Sequence, residues 1–144
     1  MKVKFYDSAD DKLLKFAVII ARSNGKWVFC KHKKRDTLEC PGGHREENEA
    51  IDDTAKRELV EETGAIKFSI HPLCVYSVVG KNRINETGEE TFGKLYYAEI
   101  DSFEDELHSE IEKIVLLDSL PTNWTYPLIQ PLLVKEYQRR IETL

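Results

Sequence analysis

A mixed β-sheet flanked by helices, an α/β fold, is what this sequence predicts, and three observations predict it. A Val- and Ile-rich run, Lys15 to Arg22, is separated from a second run, Lys26-Trp27-Val28-Phe29-Cys30, only by Ser23-Asn24-Gly25, the signal of a β-hairpin. From Glu47 to Thr63 there is no Gly or Pro and helix formers dominate, so a helix interrupts the strand-rich stretches. A second helical period, Leu128, Ile129, Leu132 and Leu133, follows near the C-terminus. The 144 residues match the size of one domain, and the organisation expected is a single domain over residues 1–144.

Taken in order, Lys15 to Arg22 and Lys26 to Cys30 form the predicted hairpin. A basic string follows, Lys31-His32-Lys33-Lys34-Arg35, then a short extended piece, Leu38-Glu39-Cys40, that ends in a sharp Pro41-Gly42-Gly43 loop. The helix predicted over 47–63 has acids in its first turn, where they complement the helix dipole, and Gly64 where a left-handed cap belongs. Ile66 to Ile70 and Leu73 to Val79 have strand composition, a polar loop covers Lys81 to Gly88, and Thr91 to Ile100 resumes strand character. A further strand fits Ile114 to Leu117. The last helix is expected from about Thr125 to Arg140, with Pro127 and Pro131 in or near its first turn.

Composition narrows the function classes. Hydrophobic residues at 41% support a packed core. The formal charge of −5 gives no broad basic footprint for duplex nucleic acid or anionic lipid. Cys30, Cys40 and Cys74 are odd in number and form no C-x-x-C pair, so three reduced thiols in a cytoplasmic protein are expected, and zinc is not. The longest apolar run, Phe16 to Ala21, is six residues, so neither a signal peptide nor a membrane span is expected.

The chemistry concentrates on the first helix. Ile51, Ala55 and Leu59 line one helical stripe, as a buried face requires, and Glu58 and Glu62 fall inside that stripe, with Glu61 to one side. Glutamates on a helix ordinarily form a solvated face, but these three repel one another in the apolar phase. A hard divalent cation between them would offset that repulsion, which points to Mg²⁺, with Mn²⁺ as a substitute. The Gly-Gly loop lets the backbone approach the same place, and its carbonyls could add oxygen ligands; the alternative is an ordinary turn. Arg57 adjoins the cluster, and Glu49 lies eight residues earlier, at the edge of reach, where the two could also be only a surface ion pair.

Gly43, five residues, Glu49, seven residues, then Arg57-Glu58-Leu59-Val60-Glu61-Glu62-Thr63-Gly64-Ala65 resembles the Nudix box. All seven fixed residues match, a coincidence on the order of 10⁻⁸ at a given start if each type occurs about once in fifteen residues. Ala65 stands where a bulky aliphatic is usual, a departure that concerns packing and leaves the acids intact. The preceding hairpin, Cys40-Pro41-Gly42-Gly43, and the stretch Glu110 to Pro121 ending in Leu-Pro extend the resemblance to most of the chain. It implies an α/β/α sandwich with a mixed sheet and hydrolysis of a nucleoside diphosphate linked to another group. It also implies that Glu58, Glu61 and Glu62 bind Mg²⁺ with the Gly42 carbonyl, that Arg57 and Glu49 orient them, and that the base is Glu58 or a glutamate on a later loop. Glu89, Glu90, Glu106, Glu110 and Glu112 are the later candidates.

Substrate contacts are less determined. Lys33 and Arg35 could meet phosphates, or belong to a solvated loop, and Lys81 and Arg83 carry the same two readings. Gly43 offers close backbone approach. Trp124 and Tyr126 could stack a base, or pack in the core, and the hairpin around Trp27 is a second candidate for base contact. Lys26-Trp27, His32, Pro-Gly-Gly and Tyr96-Tyr97-Ala98 look like the MutT-like branch that acts on oxidised purine nucleotides. The expectation is therefore a Mg²⁺-dependent pyrophosphohydrolase of purine nucleoside triphosphates, releasing monophosphate and pyrophosphate. ADP-ribose, nucleotide sugars and RNA 5′ ends are the alternative substrates, and a non-catalytic nucleotide sensor is the alternative class. Its partner is a small nucleotide, and a homodimer is compatible with the sequence.

Overall fold

Neighbouring residues of a strand point to opposite sheet faces, and the run Ala17-Val18-Ile19-Ile20-Ala21 can therefore serve two cores at once. A computed structural model of the chain describes residues 1–80 and 87–142. Its strands are β1 (Lys2–Tyr6), β2 (Leu14–Ser23), β3 (Lys26–His32), β4 (Leu38–Glu39), β5 (Gly42–His44), β6 (Ala65–Val79), β7 (Thr91–Phe103) and β8 (Ile111–Leu117). The helices are α1 (Ile51–Thr63) and α2 (Gln130–Tyr137), the latter continuing into a π-helical turn, Gln138–Glu142.

The strands form one sheet in the order β1-β6-β7-β2-β3-β4, with β5 added on β2 and β8 on β3. β2 and β7 are parallel and the other pairs are antiparallel, so the sheet is mixed as expected. On one face Ala17, Ile19, Ala21, Val75 and Tyr96 pack with Ile51, Ala55 and Leu59 of α1. On the other, Ile20, Phe29, Tyr76 and Leu95 pack with Leu133, Val134 and Tyr137 around α2. This is the α/β/α sandwich.

Several boundaries differ from the expectation. α1 begins at Ile51, not Glu47, because Asn48 adopts a left-handed φ of 63° and the Glu49 N–H turns back to the Glu46 carbonyl. The Gly-Gly segment is a strand: Ala17 pairs with Gly43 and Val18 with Gly42, so the glycines extend the sheet. The two stretches from Ile66 to Val79 are one strand, irregular where Pro72 lacks a ladder donor. β1 escaped the sequence reading, although Val3 and Phe5 alternate with lysines and pack towards α2. α2 starts at Gln130, with Pro131 in its first turn. The loop positions Lys81 and Arg83 lie outside the described residues. Among those described, no helix is long and apolar enough to cross a membrane.

Candidate functional site

The site lies between the open edge of β5 and the C-terminal half of α1. Antiparallel pairing alternates, so the Pro41 carbonyl and the Arg45 N–H bond to β2 at 2.9 Å each, while the N–H and C=O of Gly42 lie on the opposite edge. From there the Gly42 N–H donates to Glu62 Oε1 at 2.8 Å. A Cβ on Gly42 would stand 2.4 Å from the Ala17 carbonyl oxygen, and one on Gly43 would stand 2.4 Å from Glu58 Cδ. Only glycine lets β5 sit against both the sheet and the Glu58 carboxylate.

Arg57 ties the cluster together. Its Nε and Nη2 donate to the two oxygens of Glu49 at 2.7 and 3.0 Å, a two-pronged pair. Nη1 donates to Glu58 Oε1 at 2.7 Å and to Glu61 Oε2 at 3.3 Å, and Nη2 also reaches the His44 carbonyl at 3.0 Å. The Arg57–Glu49 contact, which sequence placed at the edge of reach, is made in full. Glu58 and Glu62 are partly buried and Glu61 is exposed, as the helical phase predicted.

The carboxylates differ in charge stability. Hydrogen bonds from Arg57, the Glu46 N–H and the Thr54 hydroxyl hold Glu49 ionised, with its pKa down at about 2. Burial pushes Glu58 above the ordinary carboxylate range against the pull of Arg57. Burial pushes Glu62 up to about 8, and neighbouring Glu58 adds to the rise although the Gly42 N–H opposes it. Two carboxyls disfavoured as anions, beside a third, are a donor set that a hard divalent cation would stabilise. In that chemistry Glu58, Glu61, Glu62 and the Gly42 carbonyl fit such an ion. Among the described residues, however, no three acidic or imidazole groups already stand in ligating array, and the guanidinium of Arg57 bridges Glu58 and Glu61.

A cavity of about 210 Å³ opens beside Gly42 and Gly43, lined among others by Phe16, Glu39, His44, Tyr76 and Tyr126. Phe16 and His44 meet edge to face at 4.6 Å. Arg35 is fixed to Glu39 of this lining at 3.0 Å, whereas Lys33 is exposed and its N–H bonds to the Glu110 carbonyl. Trp124 packs on Phe29, with ring centroids 5.3 Å apart, and does not line the cavity; Tyr126, two residues on, does. Trp27 is a correction: it is buried between the Arg22 guanidinium and Tyr137 on the α2 face and cannot meet a base.

Of the later glutamates, Glu90 accepts from Tyr6 and Ser77, Glu112 pairs with Lys31, and Glu110 pairs with His32. Glu110 and Glu61 line one groove beside the end of α1, and Glu106 lines a separate hollow. Sequence reasoning missed Thr54, which is fully buried and bonds Glu49. The signal was available, since a threonine five residues after Glu49 falls on the Arg57 side of the helix.

A NUDIX domain family model matches residues 11–128. The chain belongs to the NUDIX family. It is a Nudix hydrolase, and enzymes of this family use divalent metal ions. The chain is 32% identical over 124 residues to the Bacillus subtilis protein named "Putative 8-oxo-dGTP diphosphatase YtkD", covering 85% of this chain and 74% of that protein. It superposes with a TM-score of 0.75 on a variant of the Bacillus subtilis pyrophosphohydrolase BsRppH, at 27% identity over 95% of this chain and 90% of the other. The NUDIX domain of Shewanella oneidensis NrtR, solved with ADP ribose, shares the fold at a TM-score of 0.67 and 15% identity, covering 92% and 94%.

Proposed function

We propose that this Nudix hydrolase cleaves purine nucleoside triphosphates, oxidised ones among them, to the monophosphate and pyrophosphate in a Mg²⁺-dependent reaction. The observation that carries the reading is the aromatic cavity of about 210 Å³ opening at Gly42 and Gly43, against which the Glu58 carboxylate is packed. Glu58, Glu61, Glu62 and the Gly42 carbonyl would hold the metal. When bound, the ion would supply neutralisation of phosphate charge and activation of the attacking water at neutral pH. Arg57, locked by Glu49, keeps Glu58 and Glu61 turned towards one point, and Glu58, fixed by its 2.7 Å bond to Arg57, would be the residue to accept the proton of the attacking water. Arg35, held by Glu39 at the cavity, presents its remaining donors to phosphate oxygens, and exposed Lys33 adds a mobile charge. Base stacking falls to Phe16, His44 and Tyr126 of the cavity lining, and Trp124, which packs on Phe29, is left outside it. The likeness to YtkD supports an oxidised purine substrate.

The 27% identity and TM-score of 0.75 to BsRppH favour one second reading, removal of pyrophosphate from a 5′-triphosphorylated RNA end. A product-release screen with Mg²⁺ separates the readings. It compares dGTP, 8-oxo-dGTP, ATP, ADP-ribose, a nucleotide sugar and a short 5′-triphosphorylated RNA by kcat/KM. The expected order puts the purine triphosphates first; an RNA end or ADP-ribose outrunning all of them would overturn the substrate while leaving the hydrolase chemistry standing.

A further inference from the structure

The five N–H donors of Arg57 all have acceptors, and two of those bonds go to Glu49, so whatever fixes Glu49 fixes the guanidinium plane. Glu49 precedes α1 in an irregular turn and lacks helical hydrogen bonding of its own. Its Oε1 accepts from the Glu46 N–H at 3.0 Å, from Arg57 Nη2 at 3.0 Å and from the Thr54 hydroxyl at 2.7 Å. Thr54 is 0% exposed, and its hydroxyl has one proton to give. The Ala50 carbonyl lies at 3.3 Å, a longer alternative acceptor than Glu49.

We infer that Thr54 is a positioning residue of this hydrolase: its hydroxyl orients the Glu49 carboxylate so that Glu49 can orient Arg57 and, through it, Glu58 and Glu61. It touches no substrate, and the inference rests on the proposed catalytic roles of Arg57 and Glu58. The rigid helix carries the assignment. Thr54 is inside α1, three residues before Arg57, whereas Glu49 lies before the first turn and can swing with the 46–49 turn unless a helical group holds it. The Thr54 hydroxyl is that group, because the Arg57 side chain is itself the thing to be placed.

Removing the hydroxyl with Thr54→Val, or Thr54→Ala where bulk must not be added, should lower kcat about 10-fold, the scale on which supporting hydrogen bonds act, with KM within about 2-fold. Thr54→Ser should restore it. In a Glu49→Gln background the Thr54→Ala change should cost little more, since both act through one contact. The second measurement needs no turnover: the Arg57 Nε–H resonance in ¹H–¹⁵N spectra, assigned by its loss in Arg57→Lys, should shift and exchange faster with water in Thr54→Ala and stay in place in Thr54→Ser. An unmoved Arg57 resonance in Thr54→Ala, or equal losses for the Ala and Ser variants, would overturn the inference. A wild-type protein that turned over none of the screened nucleotides would instead sink the proposed function, with the spectrum still deciding the role of Thr54.

Discussion

Glu61 and Glu62 are adjacent in sequence and face opposite fates. Glu61 is exposed and, among the described residues, bonded by the long 3.3 Å contact to Arg57, so it contributes little to the fold and, in the proposed role, its charge would serve a cation. Glu61→Gln should therefore lower kcat at least about 100-fold while leaving the melting temperature near wild type; near-normal turnover in steady-state kinetics would remove Glu61 from the metal site. Glu62 is held by burial with a pKa near 8 against an ordinary value of 4.5. Between those two values the unfolded chain has lost a proton that the folded chain keeps, so stability falls as pH rises through that window. Glu62→Gln escapes the penalty. Thermal melts in chelator should show the variant several degrees above wild type at pH 8 and level with it at pH 5, and a pH-independent difference would contradict the buried placement.

At the scale of elements, β5 and α1 make the site by their fit. Gly43 accepts the Glu58 carboxylate where a Cβ would stand 2.6 Å from both of its oxygens. Gly43→Ala must push Glu58 away, because the other neighbour of that residue is the β2 ladder, which cannot yield without breaking the sheet. The expected result is a loss of at least about 10-fold in kcat/KM, a cost on the scale of a misplaced catalytic group, with far-ultraviolet circular dichroism unchanged. Full activity in this variant would show that Glu58 does not work from the position seen here. α1 itself was legible because it has no Gly or Pro over its length and a glycine at its end: Gly64 takes φ 72° and its N–H caps the Val60 carbonyl at 2.9 Å. The strand identity of Gly42–His44 was hidden for the opposite reason, since Pro-Gly-Gly favours a turn locally and only the free edge of β2 converts it into a strand.

For the whole molecule, α1 carries the acids while the cavity is lined from β2, β5, β6 and the segment entering α2, so the proposed metal chemistry and base recognition would fall to separate elements that meet at β5. Hydrolysis should vanish in excess chelator and return when Mg²⁺ is restored, because the paired carboxyls have no other means of meeting a polyphosphate. The same addition of Mg²⁺ without substrate should raise the melting temperature at pH 8, as a ligand of the folded state does. Activity that survives exhaustive chelation would refute both the ion and the roles given to Glu58, Glu61 and Glu62.

The sequence by itself determined the family, the α/β class and the acidic face of α1, because helical phase and a fixed spacing are local properties that survive any tertiary arrangement. The reach of Glu49 to Arg57, eight residues apart, was decidable only in part, since it depends on how the 46–49 turn folds back. The tertiary structure alone decided what lies against what. Trp27 and Trp124 are equally apolar on paper, yet one packs on Tyr137 and the other on Phe29, while Phe16 and Tyr126 from distant segments line one cavity beside Gly42 and Gly43. Burial is set by the packing of strands far apart in sequence, and no local pattern of residues encodes which neighbour a long-range pairing will bring.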